Sequence, residues 1–487
     1  MFISLSKSFL GAPPESFFEH IRIFKSFTEL KRKGVPFLRN FRYAKDMETN
    51  VLKRIFLEHW PQFYEKNKTR IRLVVVKEIE KFLGCGNPRN GFKLLVCEGC
   101  HDTRKIPYRC KGRFCTTCSC GETEEWSRVM AEDVFQVNHR HVILTIDEGL
   151  RDIFLKYREM LKEFMDEAAR LVQEHFEKKH KVTPGIIAGL HTFGSKLNFN
   201  PHVHMLVTMG GMTANGEWKT YDYIPFKKLR KQWQTVVLKL IRRHLTEEQK
   251  KQVQPLLQKA YSENEEGFYV HGPKQKGDVK TQLGYIGRYI RRPAIAIERI
   301  KEYDGEYVVF RYHDKTDDME KEEKVTVEEF ISRLIRHIPD EHFKMIRHYG
   351  LYARRIKKEC KEKVQTWQEK VKKTIVKVQK LIRRRNWQER IKAQTGKDPM
   401  VCPKCQCYYE YKGEVCLEEG QLVVKHAVCA KSKAVLERMI NDLTGIEETK
   451  TSEEEETNAV KPKQAPAVQR GRQISMYDVL AERRNTA

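Results

Sequence analysis

"NFNPHVHMLV", Asn198 to Val207, sets two histidines one residue apart inside an otherwise apolar run. Alternate residues of a β-strand share a face. Read as a strand, the stretch places His202, His204 and Leu206 on one side, Val203 and Met205 on the other. Two imidazoles side by side can hold a metal ion, form a basic stripe, or be ordinary half-exposed strand histidines. Working outward, "HRHVILTID" (139–147) reads as a strand, and "PGIIAGLHTFG" (184–194) as another, joined to "HVHMLVTMGG" by "SKLNFNP". Between them, residues 150–179 carry Ile153, Leu155, Met160, Leu161, Phe164, Ala168 and Leu171 at the spacing of one amphipathic helix. Residues 225–245 read as a second helix, and 278–293 as a short one closed by Pro293. "AIAIERIKEYDGEYVVFRYHD" reads as a hairpin turning at Asp304-Gly305. This order predicts an α+β domain, a sheet covered on one side by helices.

Composition narrows the partners. The chain has 487 residues, 92 Lys and Arg against 66 Asp and Glu, and a formal charge of +26. Such a surplus points to a polyanion, most simply nucleic acid. It contains no run of about eighteen apolar residues, and the opening "MFISLSKSFLGAPP" is too broken for a signal peptide. A cytoplasmic protein with no membrane partner is expected. From Glu447 onward the sequence has the composition of a disordered tail.

The 13 cysteines cluster, which points to metal rather than to a disulfide scaffold. Seven lie between Cys85 and Cys120 and five between Cys402 and Cys429. In the first block two Cys-x-x-Cys knuckles, Cys97/Cys100 and Cys115/Cys118, predict a structural Zn²⁺ held by four thiolates, with Cys85 and Cys110 near enough to substitute or to build a second site. Lys105, Arg109, Lys111 and Arg113 interleave there with Tyr108 and Phe114, a composition suited to phosphates and stacked bases. In the second block Cys402, Cys405, His426 and Cys429 suggest a zinc ribbon with strand-like "YYEYKG" and "QLVVKH" between the pairs.

On the short 278–293 helix, Tyr285 and Tyr289 stand four residues apart and therefore share a face, with Gln282 before them and Arg288, Arg291 and Arg292 around them. Taken alone, such a pair is usually core packing. Beside a His-x-His strand it acquires a chemical meaning. A metal held by imidazoles can polarise a scissile phosphate, and a nearby phenol can attack phosphorus, leaving a 5′-phosphotyrosine and a free 3′-OH.

In order along the chain stand "RCKGRFCTTC" (109–118), Trp126, "HVILTID" (141–147), "LHTFGSKLNFNPHVHMLV" (190–207), "YIGRYIRRPAIA" (285–296), "HFKMIRHYGLYA" (342–353) and "CPKC" (402–405). Together they resemble the two-tyrosine HUH transposases of the insertion sequence 91 family, over roughly residues 80 to 406. The resemblance implies an HUH core, an antiparallel ferredoxin-like or RRM-like sheet with helices on one face, behind an N-terminal zinc-binding domain. It implies His202 and His204 as metal ligands, with His191 as the third and Gln282 as the alternative. It implies Tyr285 and Tyr289 as nucleophiles, Mg²⁺ or Mn²⁺ at the site, and nicking and rejoining of single-stranded DNA at element ends in a rolling-circle manner. A prokaryotic, nucleoid-associated location follows from the same likeness.

The expected organisation is a basic helical region (1–80), a zinc-binding DNA-binding domain (81–135), the catalytic domain (136–350), a basic helical region (351–395), a zinc ribbon (396–440) and a tail (441–487). In 353–393 the apolar stripe Val364, Trp367, Val371, Ile375, Val378 and Ile382 reads as packing, with Lys and Arg outward. Two other readings share parts of this pattern. A plasmid or phage replication initiator, or a relaxase, would use the same nicking chemistry. A non-catalytic zinc-dependent regulator would explain the charge and the cysteines but leave the histidine and tyrosine pairs to coincidence.

Overall fold

The computed structural model describes residues 50–221, 223–272, 284, 287–288, 293–314, 316–372 and 383–445. In chain order these form α1 (Val51–Asn67), α2 (Leu73–Gly84), β1 (Gly91–Cys97), β2 (Thr103–Pro107), α3 (Thr116–Asp133) and β3 (His139–Leu144). Then come α4 (Arg151–Lys156), α5 (Met160–His180), β4 (Thr183–Phe193), β5 (Phe199–Met212), β6 (Trp218–Thr220), α6 (Phe226–His244), α7 (Glu247–Ser262) and β7 (Val270–His271). The chain continues with β8 (Ile300–Tyr303), β9 (Tyr307–Asp314), β10 (Met319–Thr326), α8 (Val327–Ile335), β11 (Ile346–Gly350), α9 (Lys357–Lys372), α10 (Trp387–Thr395), β12 (Tyr409–Glu418), β13 (Gln421–Ala427) and α11 (Ala430–Thr444). Contacts divide the chain after Glu437; of the second unit only the end of α11 and Gly445 are described.

The central antiparallel sheet runs β11-β4-β5-β3-β7, with β6 paired to the far end of β5. The "HVHMLV" stretch is thus the middle strand. Its period-two alternation does what the sequence requires: Val203, Met205 and Val207 enter one core together with Ile186, Ala188 and Leu190 of β4 and Val142 and Leu144 of β3. That core is closed by α5, through Met160, Phe164, Ala168 and Val172, and by α6, through Leu229, Trp233, Val237 and Ile241. The members named on each helix recur every four residues, which keeps them on one stripe of the helix. Fully burying each large side chain contributes about 1.5–3 kcal/mol, so this layer fixes which face of β5 points away from the helices.

The opposite face carries the histidines. Farther along it, Ile187 and Leu206 pack with Met130 of α3 and with Leu351, Tyr352, Cys360 and Val364, the last two on α9. A helical layer therefore covers one face, as expected, and α3 and α9 roof part of the other. The single helix expected over 150–179 is two: the chain leaves helical geometry at Tyr157 (φ −110°, ψ 69°) before α5 begins. The break turns Arg158 toward the 336–340 segment, where its guanidinium donates to the carbonyls of Arg336 (3.0 Å) and Ile338 (3.2 Å).

A second core joins α1 and α2, through Ile55, Phe56, Ile79 and Phe82, to the β8–β10 sheet and α8, through Phe310 and Phe330. The hairpin turns at Asp304-Gly305, where Asp304 Oδ1 accepts from the N–H groups of Glu306 and Tyr307 at 2.9 and 2.7 Å. Residues 396–440 do not stand as a separate ribbon. β12 pairs antiparallel with β1, Cys97 opposite Tyr409, so the sheet order is β13-β12-β1-β2 and the second cysteine block joins the first.

Candidate functional site

His191, His202 and His204 lie together. Their ligand atoms are all within 4.8 Å of one another, and His191 and His202 are cross-strand partners on β4 and β5. The rings of His191 and His204 are 4.4 Å apart between centroids, and those of His202 and His204 4.8 Å. His191 and His204 are each 1% exposed, while His202 is half-buried at the mouth. The strand pairing explains the meeting: a register of His191 with His202 sets the i and i+2 histidines of β5 beside a third ring from its neighbour.

The outer shell is in place as well. His202 Nδ1 lies 2.7 Å from its own strand's Asn200 carbonyl, so Nδ1 carries the proton and Nε2 keeps its lone pair for a cation. His204 Nδ1 lies 2.9 Å from Nε2 of His141 on β3. Burial, and secondarily the charge of His271, pull the His141 pKa down to about 4, so this ring is neutral at physiological pH and can accept the N–H of His204. Such an arrangement leaves Nε2 as the ligating nitrogen of His204. The donor set, three imidazoles whose ligand atoms converge, suits a divalent transition-type ion. His141 was missed in the sequence reading. It stands at the same i, i+2 spacing in "HRHVILTID", but its role depends on β3 lying next to β5.

The turn between β4 and β5 is pinned, which keeps the histidines in register. Arg333 donates to the Lys196 carbonyl at 3.0 Å, and His337 Nε2 lies 3.0 Å from the Leu197 carbonyl. Arg299 reaches the Ser195 carbonyl.

Tyr285, Tyr289, Gln282, Arg291 and Arg292 lie outside the described residues. Between residues 282 and 292 three are described, and all meet α3. The Ser127 hydroxyl donates to the Gly284 carbonyl. A Cβ on Gly287 would stand 2.6 Å from Met130 Cε, so only glycine fits there without displacement. Arg288 Nε lies 3.9 Å from Glu124. Met130 in turn packs in the cluster of Ile187 and Leu206, on the histidine-bearing face.

The cysteines regroup. Instead of Cys97, Cys100, Cys115 and Cys118 sharing one ion, the structure gathers Cys85, Cys110, Cys115 and Cys118 in one group and Cys97, Cys100, Cys402 and Cys405 in another. In the first, Sγ atoms stand 3.5 Å (Cys85–Cys118), 3.7 Å (Cys110–Cys118) and 3.8 Å (Cys85–Cys115) apart. Four sulfurs bound tetrahedrally at about 2.3 Å would be about 3.8 Å apart, so the group fits Zn²⁺. The N–H groups of Cys110 and Gly112 point at the sulfurs of Cys85 and Cys110, both at 3.4 Å. Lys111, in the left-handed region at φ 52°, and Arg113 ride on this loop. His426 and Cys429 join neither group: His426 Nδ1 lies 3.3 Å from the Tyr411 hydroxyl and Cys429 Sγ 3.2 Å from the Ser432 hydroxyl. The ribbon hairpin directs both away because β12 has paired with β1.

Comparison with known proteins agrees with this layout. A family model described as "Transposase zinc-binding domain", of the insertion sequence 91 type, matches residues 55–146, and one described as "Putative transposase" matches residues 185–360. The chain is 28% identical over 326 residues to the transposase for insertion sequence element IS801 of Pseudomonas savastanoi pv. phaseolicola, which covers 63% of this chain and 77% of that one. It is 24% identical over 340 residues to the protein named "Putative transposase y4qJ" of Sinorhizobium fredii (strain NBRC 101917 / NGR234), covering 66% and 84% respectively. No solved structure matches. Among the described residues no helix is long and apolar enough to cross a membrane. With a cysteine-rich zinc-binding domain leading into the transposase region that holds the three histidines, the chain belongs to the transposase family of insertion sequence 91.

Proposed function

We propose that this transposase nicks and rejoins single-stranded DNA at the ends of its element, by tyrosine attack on a phosphate held at the histidine face. The observation that carries the reading is the convergence of His191, His202 and His204, with ligand atoms within 4.8 Å, on the side of the sheet away from α5 and α6. These three would hold Mg²⁺ or Mn²⁺, and the bound ion would supply the positive charge that polarises the phosphate. His141 orients His204, and the Asn200 carbonyl orients His202. Gln282 is not needed as a ligand on this reading.

Tyr285 and Tyr289 are the proposed nucleophiles. Support comes from their described neighbours Gly284, Gly287 and Arg288, which meet α3 where it borders the histidine face. In the step, the phenolic oxygen bonds to phosphorus and the bond from phosphorus to the 3′ oxygen breaks. The phenol gives up its proton to water and the leaving oxygen takes one, ending as a free 3′-OH. One phosphodiester bond replaces another, so attack by a 3′-OH in reverse rejoins a strand without a nucleotide cofactor. Two phenols allow one to hold a 5′ end while the other cuts again, as rolling-circle transposition requires. Arg288, Arg291 and Arg292, with Lys111 and Arg113 of the first cysteine loop, are proposed to grip the DNA backbone, in the cytoplasm at the nucleoid.

The test is cleavage of labelled single-stranded oligonucleotides carrying the element ends, with Mg²⁺ or Mn²⁺ added. Wild-type protein should nick them. His202→Ala/His204→Ala should lose nicking and keep DNA binding, since affinity comes from many Lys and Arg contacts to phosphate. Wild-type cleavage rates in the double variant would remove the histidine face from the chemistry.

A further inference from the structure

Two cysteine knuckles, one near each end of the described chain, are built alike. Cys100 and Cys402 are 302 residues apart, yet their sulfurs stand 3.7 Å from each other, and those of Cys97 and Cys405 stand 3.2 Å apart. In the first knuckle the Cys97 N–H donates to the Asp102 carbonyl at 2.9 Å and the His101 N–H to the Cys97 carbonyl at 3.1 Å. In the second the Cys402 N–H donates to the Cys407 carbonyl at 2.8 Å and the Gln406 N–H to the Cys402 carbonyl at 3.0 Å. The residue after each second cysteine, His101 and Gln406, is in the left-handed region, at φ 57° and 63°. That conformation is uncommon for a residue other than glycine. One strained turn has been built twice, and each copy presents two thiols to the same point.

The surroundings hold the two copies face to face. Asp102, from the first knuckle, accepts from Lys404 Nζ at 2.6 Å and from the Tyr409 hydroxyl at 2.7 Å. Arg104 donates to the Pro399 carbonyl at 2.8 Å. Leu95, Tyr409, Ile106 and Met400 pack around the group as a small core of their own.

We propose that Cys97, Cys100, Cys402 and Cys405 form a second zinc site, distinct from the Cys85 group, which clasps the two arms of the chain and closes the zinc-binding domain around the inserted catalytic sheet. Binding is by four thiolates, whose protons pass to solvent as Zn²⁺ enters. The domain matched at residues 55–146 is then incomplete by itself. It becomes whole only when residues 402–405 return to it, so metal binding closes a loop that contains the whole sheet of β3, β4 and β5. The inference stands apart from the proposed nicking chemistry.

Full-length protein purified with zinc tests it. Elemental analysis should find two zinc ions per chain. Native alkylation followed by peptide mass spectrometry should modify Cys120 and Cys429 and spare Cys97, Cys100, Cys402 and Cys405, and a chelator should expose those four together. Cys402→Ser/Cys405→Ser should lose one of the two zinc equivalents and render Cys97 and Cys100 reactive, while the Cys85 group stays protected. His426→Ala/Cys429→Ser should keep both ions. Retention of both ions by the Cys402→Ser/Cys405→Ser variant would overturn the proposal. So would alkylation of Cys402 and Cys405 in zinc-loaded wild-type protein with Cys97 and Cys100 still protected, a result that needs no variant to fold. Recovery of the four as disulfides would overturn it too.

Discussion

At the scale of single residues, the histidines divide into those that meet at the mouth of the sheet and those that hold the fold. His141 belongs with the first set through its 2.9 Å contact with His204 Nδ1. Replacing it with Ala should weaken divalent-ion affinity by about 10–100-fold, the usual effect of losing an outer-shell partner. The measurement is a Mn²⁺ titration of nicking, and an unchanged midpoint would contradict the role. His139 is structural. Its Nδ1–H donates to the Val137 carbonyl at 2.7 Å, and its Nε2 accepts from the Tyr352 hydroxyl at 2.6 Å. The same hydroxyl accepts the Phe135 N–H at 3.1 Å, so Tyr352 is fully engaged. Tyr349 gives its O–H to Asp166 of α5 at 2.7 Å and packs against the core on the sheet's other face. Neither phenol can substitute for Tyr285 or Tyr289 without leaving its partners. Burial pulls the pKa values of His139 and His337 down from 6.5 to about 4. The unfolded chain takes up these protons as pH falls through 6.5 and the folded chain does not. Their stabilisation is therefore present above 6.5 and lost between 6.5 and 4, up to roughly 3 kcal/mol per ring. Scanning calorimetry should show the melting temperature falling across that window, and a flat profile would contradict the burial argument. The His202–His204 pair was legible because strand alternation is a local rule; His141 was not, because no local rule says which strand lies beside β5.

At the scale of elements, strands and helices around the site follow from periodicity, and the departures have physical causes. The apolar stripe of 150–179 runs straight through Tyr157, so nothing in its spacing announces the break between α4 and α5. Only the destination of Arg158, buried against the carbonyls of 336–338, explains it. The β4 strand carries a second hidden demand. A Cβ on Gly185 would stand 2.8 Å from the Tyr352 ring, and the Gly185 N–H is taken by the Thr208 hydroxyl at 2.9 Å where the pairing with β5 shifts. Gly185→Ala should therefore cost about 1–3 kcal/mol, the usual range for overpacking a tight core. Urea unfolding checks this, and an unchanged midpoint would mean that the Tyr352 ring can yield. Zinc grouping was the least legible element. Nearness in sequence favours Cys97 and Cys100 joining Cys115 and Cys118, whereas β1 and β2 separate those pairs and β12 brings Cys402 and Cys405 to the first.

At the scale of the whole molecule, a surplus of 26 positive charges and the family of insertion sequence 91 transposases both direct the protein to DNA. If many Lys and Arg contacts supply the affinity, the logarithm of the binding constant should fall linearly with the logarithm of salt concentration, with a slope of about −0.7 per phosphate neutralised on single strands. A binding constant indifferent to salt would refute that source of affinity. The chain's return from β11 through α9 and α10 to β12 makes the N-terminal and C-terminal cysteines one sheet, a long-range pairing that no reading of either block alone could reach. Attack on DNA by a tyrosine of the 278–293 segment at the histidine face is tested by covalent capture. Full-length protein is incubated with single-stranded element ends and Mn²⁺, then resolved under denaturing conditions, and the adduct is mapped by mass spectrometry. If that attack occurs, wild-type protein should carry a DNA adduct on Tyr285 or Tyr289, each single Phe variant should still form one, and Tyr285→Phe/Tyr289→Phe should form none. A covalent adduct formed by that double variant would contradict it.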